Sequence, residues 1–340
     1  YELGNDISME NVTGADQVYI NCTFIGKLDG NGYKITNATK PLFTRITNSY
    51  VADLTIQDTA EAEKDWIAQT KHYTIVVKEQ KKETVKEIRT LADLKEIGQN
   101  KAQKYVLKAD IDASEVTETA IAKGTFNGIL DGEGHSITGL KVPLLEKTER
   151  AEIRNLTVEN VQISNQNAEN AAITKRSHHT IFENLNLENV TISGTSYNGA
   201  ITGYDYTGSV FNKIQIRNAK ITGTKNYNAV FAGRASGSQI SNIAVIESNV
   251  TLSGTDNGGF IGAGKNLAIR QVYSDADITV VNYNDAQNRT NSAGFIGNLA
   301  GESSVQHVLS VGNMMQEKIF INSLERRTFW ENMCQTLLFP

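Results

Sequence analysis

A repeat with a step of 29 residues constrains this chain more than any other feature. Apolar residues closing short polar segments fall at Leu156, Leu185, Ile214, Ile243 and Val272, each 29 positions after the last, and Val308 follows after a step of 36. A second track runs out of phase with the first: Ile201-Thr202-Gly203, Phe231-Ala232-Gly233, Phe260-Ile261-Gly262 and Phe295-Ile296-Gly297. Two tracks in near-constant register imply units that bury their apolar faces on one another. Within a unit the apolar residues alternate over short runs, as in Leu156 and Val158, Val161 and Ile163, Leu185 and Leu187, and Ala219 and Ile221. A period of two over so short a run belongs to strands, whereas a helical solenoid would show a period near 3.6. The expected fold is therefore all-β: a right-handed parallel β-helix, or solenoid, with coils about 4.8 Å apart and apolar residues piled into interior columns.

The order of the chain predicts four segments. Residues 1–60 read as a diverged first unit, with Asp29-Gly30-Asn31-Gly32 as a tight turn. Residues 61–104 read as a linker strand over 72–77 and a capping helix. In that helix Thr90 is the N-cap, Asp93 an imperfect capping-box acid, Leu91, Leu94 and Ile97 one apolar face, and Gly98 the stop. Such a helix would cover the strand edges that the first coil of a solenoid exposes. Residues 105–312 form the β-helix proper. Its beginning repeats the first unit: Phe126, Pro143 and Ile153 match Phe24, Pro41 and Val51 at a common offset of 102. Residues 313–340 abandon the repeat and read as a C-terminal cap or an extraneous tail. The longer step before Val308 places an excursion over Asn282 to Thr290. Because the chain opens inside a pattern and without Met, it reads as a piece of a larger protein.

Repetition also offers structural explanations for the conspicuous polar residues. Asn160, Asn189 and Asn218 share one phase and predict an amide ladder running along the stack. Gly203, Gly233, Gly262 and Gly297 mark a corner. The chain holds 33 Lys and Arg against 38 Asp and Glu, for a net charge of −5, which points away from nucleic acid. No apolar run reaches membrane-spanning length. Cys22 and Cys334, the only two cysteines, exclude a disulfide scaffold and suit either the cytosol or a Gram-positive cell surface. A monomer is expected.

No residue is assigned a catalytic, cofactor-binding or metal-binding role. The zinc-protease signature His-Glu-x-x-His is absent. His178 and His179 are adjacent, and neighbours on a strand face opposite ways, so they read as an ordinary turn or surface pair. His135, near Asp131 and Glu133, sits in a duplicated turn. Asp275 and Asp277 with Arg270, or Asp205 beside Tyr204 and Tyr206, are the carboxylates that a β-helical polysaccharide lyase or hydrolase could use on an outer face. Tyr197, Tyr204, Tyr206 and Tyr227 could form a stacked strip that binds sugar or protein, with Tyr197 and Tyr227 at nearly the same phase.

The segments Asn198 to Gly203, Asn257 to Gly262 and Ser292 to Gly297 resemble the short GLUG motif of bacterial surface proteins. The layout of Thr90 to Ile97, Tyr105 to Ile111, Phe126 to Ile137 and Ile153 to Val158 resembles the N-terminal region of streptococcal zinc metalloproteases of the IgA1-protease type. That resemblance implies a secreted or cell-wall-attached parent that cleaves a host glycoprotein such as immunoglobulin A1. Zinc would belong to a separate protease domain. This chain would then be a non-catalytic domain for substrate recognition or scaffolding, and the alternative is a repeat domain of an adhesin.

Overall fold

The long strands Glu152–Ser164, Ile181–Gly194, Val210–Gly223, Gln239–Leu252 and Ala268–Val280 lie side by side in one parallel sheet, and Ser304–Val311 follows them. Leu156 pairs with Leu185, and the column continues through Ile214, Ile243, Val272 and Val308. The 29-residue track is thus one column of this sheet. The second track is another: Thr202, Ala232, Ile261 and Ile296 pair in turn within the short strands Thr202–Asp205, Ala232–Ser236, Ile261–Lys265 and Ile296–Ala300. The protein is a parallel β-solenoid. This architecture is seen in a computed structural model that describes residues 1–10, 12, 19–24, 27–37, 42–46, 49–52, 54–57, 67–70, 74–76, 85–98, 103–116, 118–165, 168–281 and 292–316.

The interior follows from the alternation. Leu156, Val158, Val161 and Ile163 are buried, as are their counterparts Leu185, Leu187, Val190 and Ile192. Each such side chain contributes about 1.5–3 kcal/mol when fully removed from water. Phenylalanines also stack along the axis. Phe182 lies 4.9 Å from Phe211, Phe231 lies 4.7 Å from Phe260, and Phe260 lies 5.0 Å from Phe295.

The coils turn at residues in the left-handed region. Arg150, His179, Gly208, Gly237 and Asn266 form one line of corners; Asn155, Asn184, Lys213, Asn242 and Gln271 form a second; Asn160, Asn189, Asn218 and Glu247 form a third. Asparagine tolerates positive φ better than other residues with a side chain. Its amide can also bond the copy above or below. The expected ladder is present: Asn189 Nδ2 donates to Asn160 Oδ1 at 3.3 Å, and Asn218 Nδ2 donates to Asn189 Oδ1 at 2.6 Å. A second ladder is wholly buried. Asn170 donates to Asn198 at 2.8 Å, Asn198 to Asn228 at 2.5 Å, and Asn228 to Asn257 at 3.0 Å. Asn257 Nδ2 ends the chain on the Ser253 carbonyl at 3.1 Å.

The helix over Leu91–Lys95 is capped as the sequence implies. Asp93 N donates to the Thr90 hydroxyl, and the Asp93 carboxylate accepts from Thr90 N at 2.9 Å. Leu94 and Ile97 join the main core. The first unit has its own small core of Leu28, Ile35, Leu42, Phe43 and Val51. The duplicated turns also match in backbone, with positive φ at Asn31 and Gly32 and again at Glu133 and Gly134.

Two details differ from the sequence expectation. Ile67–Thr70 pairs with Phe43–Ile46, and Thr74–Val76 pairs with Ser49–Ala52. These strands therefore add a rung to the first unit, where a lone linker strand was expected. Met314–Gln316 pairs with Ile278–Val280 and extends the solenoid by a strand. The expected excursion at Asn282 to Thr290, and residues 317–340 of the terminal segment, lie outside the described residues.

The buried amide ladder should carry stability. Replacing Asn198 by Ala removes the amide acceptor of Asn170 Nδ2 and one of the two donors to Asn228 Oδ1, the other being the retained Asn198 backbone N–H, and is expected to cost about 2–4 kcal/mol, measured by urea denaturation. A loss within about 0.5 kcal/mol, the level of an ordinary surface substitution, would contradict this role.

Candidate binding face

The short strands carry an outward row of large polar side chains. Arg176 pairs with Tyr204 in register, and Tyr204 with Arg234. Beside this row runs a fourth line of corners, where Glu169, Tyr197, Tyr227 and Asp256 all have positive φ. Left-handed backbone is costly for a tyrosine, and here glycine makes it possible. A Cβ added at Gly203 would lie 2.6 Å from the Tyr197 carbonyl oxygen, and one at Gly233 would lie 2.5 Å from that of Tyr227. The corner backbone therefore lies directly on the glycines of the short strands. This is the physical role of the second sequence track.

That close approach brings four tyrosines together. Tyr227 stacks on Tyr197 at 4.7 Å between ring centroids, Tyr197 on Tyr204 at 5.3 Å, and Tyr204 on Tyr206 at 4.0 Å. The strip expected from the sequence thus exists. Its ring faces are largely taken up by one another, so ring edges and phenol groups are what it presents to solvent. Tyr206, at the end of the row, is 40% exposed. The Arg234 guanidinium lies 5.1 Å from the Tyr204 ring centre and 5.9 Å from that of Tyr227, within cation–π range. Arg176 is held by Glu169 at 2.5 Å, whereas Arg234 forms no ion pair among the described residues. Burial pushes the Tyr197 and Tyr204 phenols up, and the Arg234 charge partly offsets the rise. The phenols therefore act as neutral donors and acceptors beside a cation.

Asp205 does not belong to this outer face. It lies between Tyr204 and Tyr206 on a strand, so it points inward and is fully buried. Ser177 Oγ donates to it at 3.0 Å, Ser209 Oγ at 2.6 Å, and Ser238 Oγ completes the cage. Burial raises its carboxyl to about 6, although these hydroxyls act to lower it. An outer-face acid–base role for Asp205 is excluded by this placement.

The other sequence candidates are dispersed. Asp277 accepts from the backbone N–H of Asn313 at 2.6 Å, and Arg270 forms no ion pair with Asp275 or Asp277 among the described residues. His135 sits 3.3 Å from Asp110 in its turn. His178 and His179 meet edge to face at 4.2 Å. They do not face opposite ways because His179 is a corner residue with positive φ, not a strand residue. His179 is buried, and desolvation lowers it to about 4. Among the described residues no group of three or more His, Cys, Asp or Glu could hold a metal ion, and no helix is long and apolar enough to cross a membrane.

The fold and this face define a β-solenoid that displays side chains on a rigid, repeated frame. Residues 1–70 and 58–194 both match the M26 IgA1-specific metallo-endopeptidase N-terminal region, and together they cover more than half of the chain. The chain belongs to that family. It is 30% identical, over 161 residues and 44% of its length, to the immunoglobulin A1 protease of Streptococcus pneumoniae (strain ATCC BAA-255 / R6), and it spans 7% of that relative. Among solved structures, a protein from Bacteroides ovatus provisionally assigned as an immunoglobulin A1 protease aligns over 68% of this chain and 84% of its own, at 15% identity and a TM-score of 0.44.

The buried Asp205 makes stability depend on pH. Its carboxyl is raised above the unfolded value near 4, so the contribution is fully present below about pH 4 and is lost as pH rises through about 6. His179 works in the opposite sense: its contribution is present above the unfolded value near 6.5 and is lost as pH falls through about 4. Comparing Asp205→Asn with the parent chain isolates the carboxyl. Relative to the parent, the variant is expected to gain about 2–3 kcal/mol between pH 4 and pH 7, followed by denaturation at each pH. Parallel pH profiles would refute a raised Asp205.

Proposed function

We propose that this chain is a non-catalytic recognition domain of a larger secreted or wall-attached zinc metalloendopeptidase. In this reading it binds the host glycoprotein that the parent cleaves, with immunoglobulin A1 as the first substrate to test. The observation that carries the reading is the tyrosine row around Arg234, a cation without a carboxylate partner among the described residues, set on an outer face of a rigid scaffold. Tyrosine and arginine are the residues that most often dominate binding energy at protein interfaces. Their positions are fixed by coil stacking, so little conformational entropy is lost on binding. Membership of the M26 N-terminal family and similarity to a named immunoglobulin A1 protease support the choice of substrate. His-Glu-x-x-His does not occur in these 340 residues, and in this reading zinc and peptide hydrolysis belong to another part of the parent.

Surface plasmon resonance on immobilised immunoglobulin A1 tests the proposal. Arg234→Ala is expected to weaken binding by about 2 kcal/mol, or roughly thirtyfold, while the distant exposed Arg270→Ala leaves it unchanged. Equal binding by the two variants would reject the tyrosine face. Binding to glycosylated cell-surface proteins but not to immunoglobulin A1 would favour the adhesin reading.

A further inference from the structure

The long strands bend at Asn155, Asn184, Lys213 and Asn242, and the bend leaves an open groove of about 1020 Å³ along the solenoid axis. It lies on the sheet of long strands, away from the short strands that carry the tyrosine row. From the groove we infer a second binding site, specific for an extended, uncharged oligosaccharide and independent of the tyrosine face.

The lining is dominated by amides. Asn155, Asn184, Asn186, Gln215 and Asn242 face it, with Thr157 beside them. The charges at the groove are already compensated, since Glu133 pairs with Lys108 at 2.5 Å and Lys213 lies 3.7 Å from Glu183. An anionic chain would find no free cation here. Asn155, Asn184 and Asn242 already donate to Asp131, Asn155 and Asn212 along the stack, so Asn186 and Gln215 are the amides that can offer donor and acceptor together, the chemistry that matches paired sugar hydroxyls. The Asn186 Oδ1 atom is enclosed and has no hydrogen-bond partner among the described residues. Such an unmet acceptor is costly, and a turn of the amide toward a bound hydroxyl relieves it.

The spacing argues for a polymer. Thr157, Asn186, Gln215, Ala244 and Tyr273 follow one another in register, one per coil. Coils advance by about 4.8 Å, close to the advance per residue of an extended pyranose chain. Sugars over Thr157, Asn186 and Gln215 would thus each meet one new polar side chain. At Ala244 the row narrows to a methyl group, and the next member, Tyr273, is 37% exposed. A sugar ring over Ala244 would rest against the Tyr273 ring, the amphipathic contact that an aromatic edge beside polar groups supplies. An extended peptide is a poorer occupant. The strand N–H and C=O groups are spent on the ladder between coils, so the groove offers no free edge for a peptide main chain to join.

Isothermal titration calorimetry with uncharged cello-, chito-, manno- and malto-pentaoses is the test, using the full chain and the variants Gln215→Ala, Tyr273→Ala and Arg234→Ala. At least one pentaose is expected to bind. Gln215→Ala and Tyr273→Ala should each weaken that binding about tenfold, and Arg234→Ala should leave it unchanged. Circular dichroism on each variant establishes that the solenoid is intact. The inference is overturned if no pentaose binds at millimolar concentration, if Arg234→Ala alone abolishes binding, or if oligogalacturonate or a proline-rich peptide displaces the sugar from the groove. Loss of immunoglobulin A1 binding in Arg234→Ala with sugar binding intact would leave the two sites separate, as inferred.

Discussion

Each coil of this solenoid lies one strand spacing, about 4.8 Å, from the next, and every other feature follows from that distance. A side chain at a given phase touches its own counterpart one repeat away. Only residues compatible with a copy of themselves can fill such a column. Branched apolar residues qualify, as in Leu156, Leu185, Ile214 and Ile243. Aromatic rings qualify by stacking, and amides qualify because each is both donor and acceptor. Charges are carried on the outer face, where Glu159 and Glu188 sit in register; the next step of that column reverses sign, Glu188 pairing with Arg217, and Arg217 lies 3.4 Å from Glu247.

The same closeness explains the glycines. At Gly203, Gly233 and Gly262 the corner backbone of the fourth line occupies the space a Cβ would need. The corner residues above them gain a fixed position over the short strands in return. Where those corner residues are Tyr197 and Tyr227, the result is a row of aromatic side chains on the outside of the tube. The binding face is a consequence of the packing rule rather than an addition to it.

Much of this was legible in the sequence because the rule is periodic. A constant step and strict alternation identify columns without coordinates, and the capping helix follows from local chemistry at Thr90, Asp93 and Leu94. The buried ladder of Asn170, Asn198, Asn228 and Asn257 escaped notice for a physical reason. Its steps are uneven because the corner beside it varies in length, and asparagine ordinarily signals a turn. Its signal was the placement of Asn198 and Asn257 at the head of two segments of the second track. The pair His178 and His179 reads as an ordinary turn or surface pair and His179 does sit at a corner, but its burial is not legible because an isolated left-handed residue leaves no mark in hydrophobic periodicity. The rung at Ile67–Thr70 and Thr74–Val76 was obscured by polar sequence around it.

Asp205 is the informative exception to the column rule. It pairs in register with Ser177, which pairs with Thr148, so its column passes from hydroxyl to carboxylate. A carboxylate cannot stack on a copy of itself in a dry interior, but it can accept several hydroxyls at once. Ser209 supplies one from the same coil, and Ser177 and Ser238 supply the others from the coils on either side. Because alternate residues of a strand face opposite ways, anchoring Asp205 inward holds Tyr204 and Tyr206 outward. A slip of one residue would exchange the two faces, placing rings in the hydroxyl cage and the carboxylate in the aromatic row. The buried cage thus fixes the phase of the strand that carries half of the tyrosine row, which ties the display on the surface to a polar contact in the core.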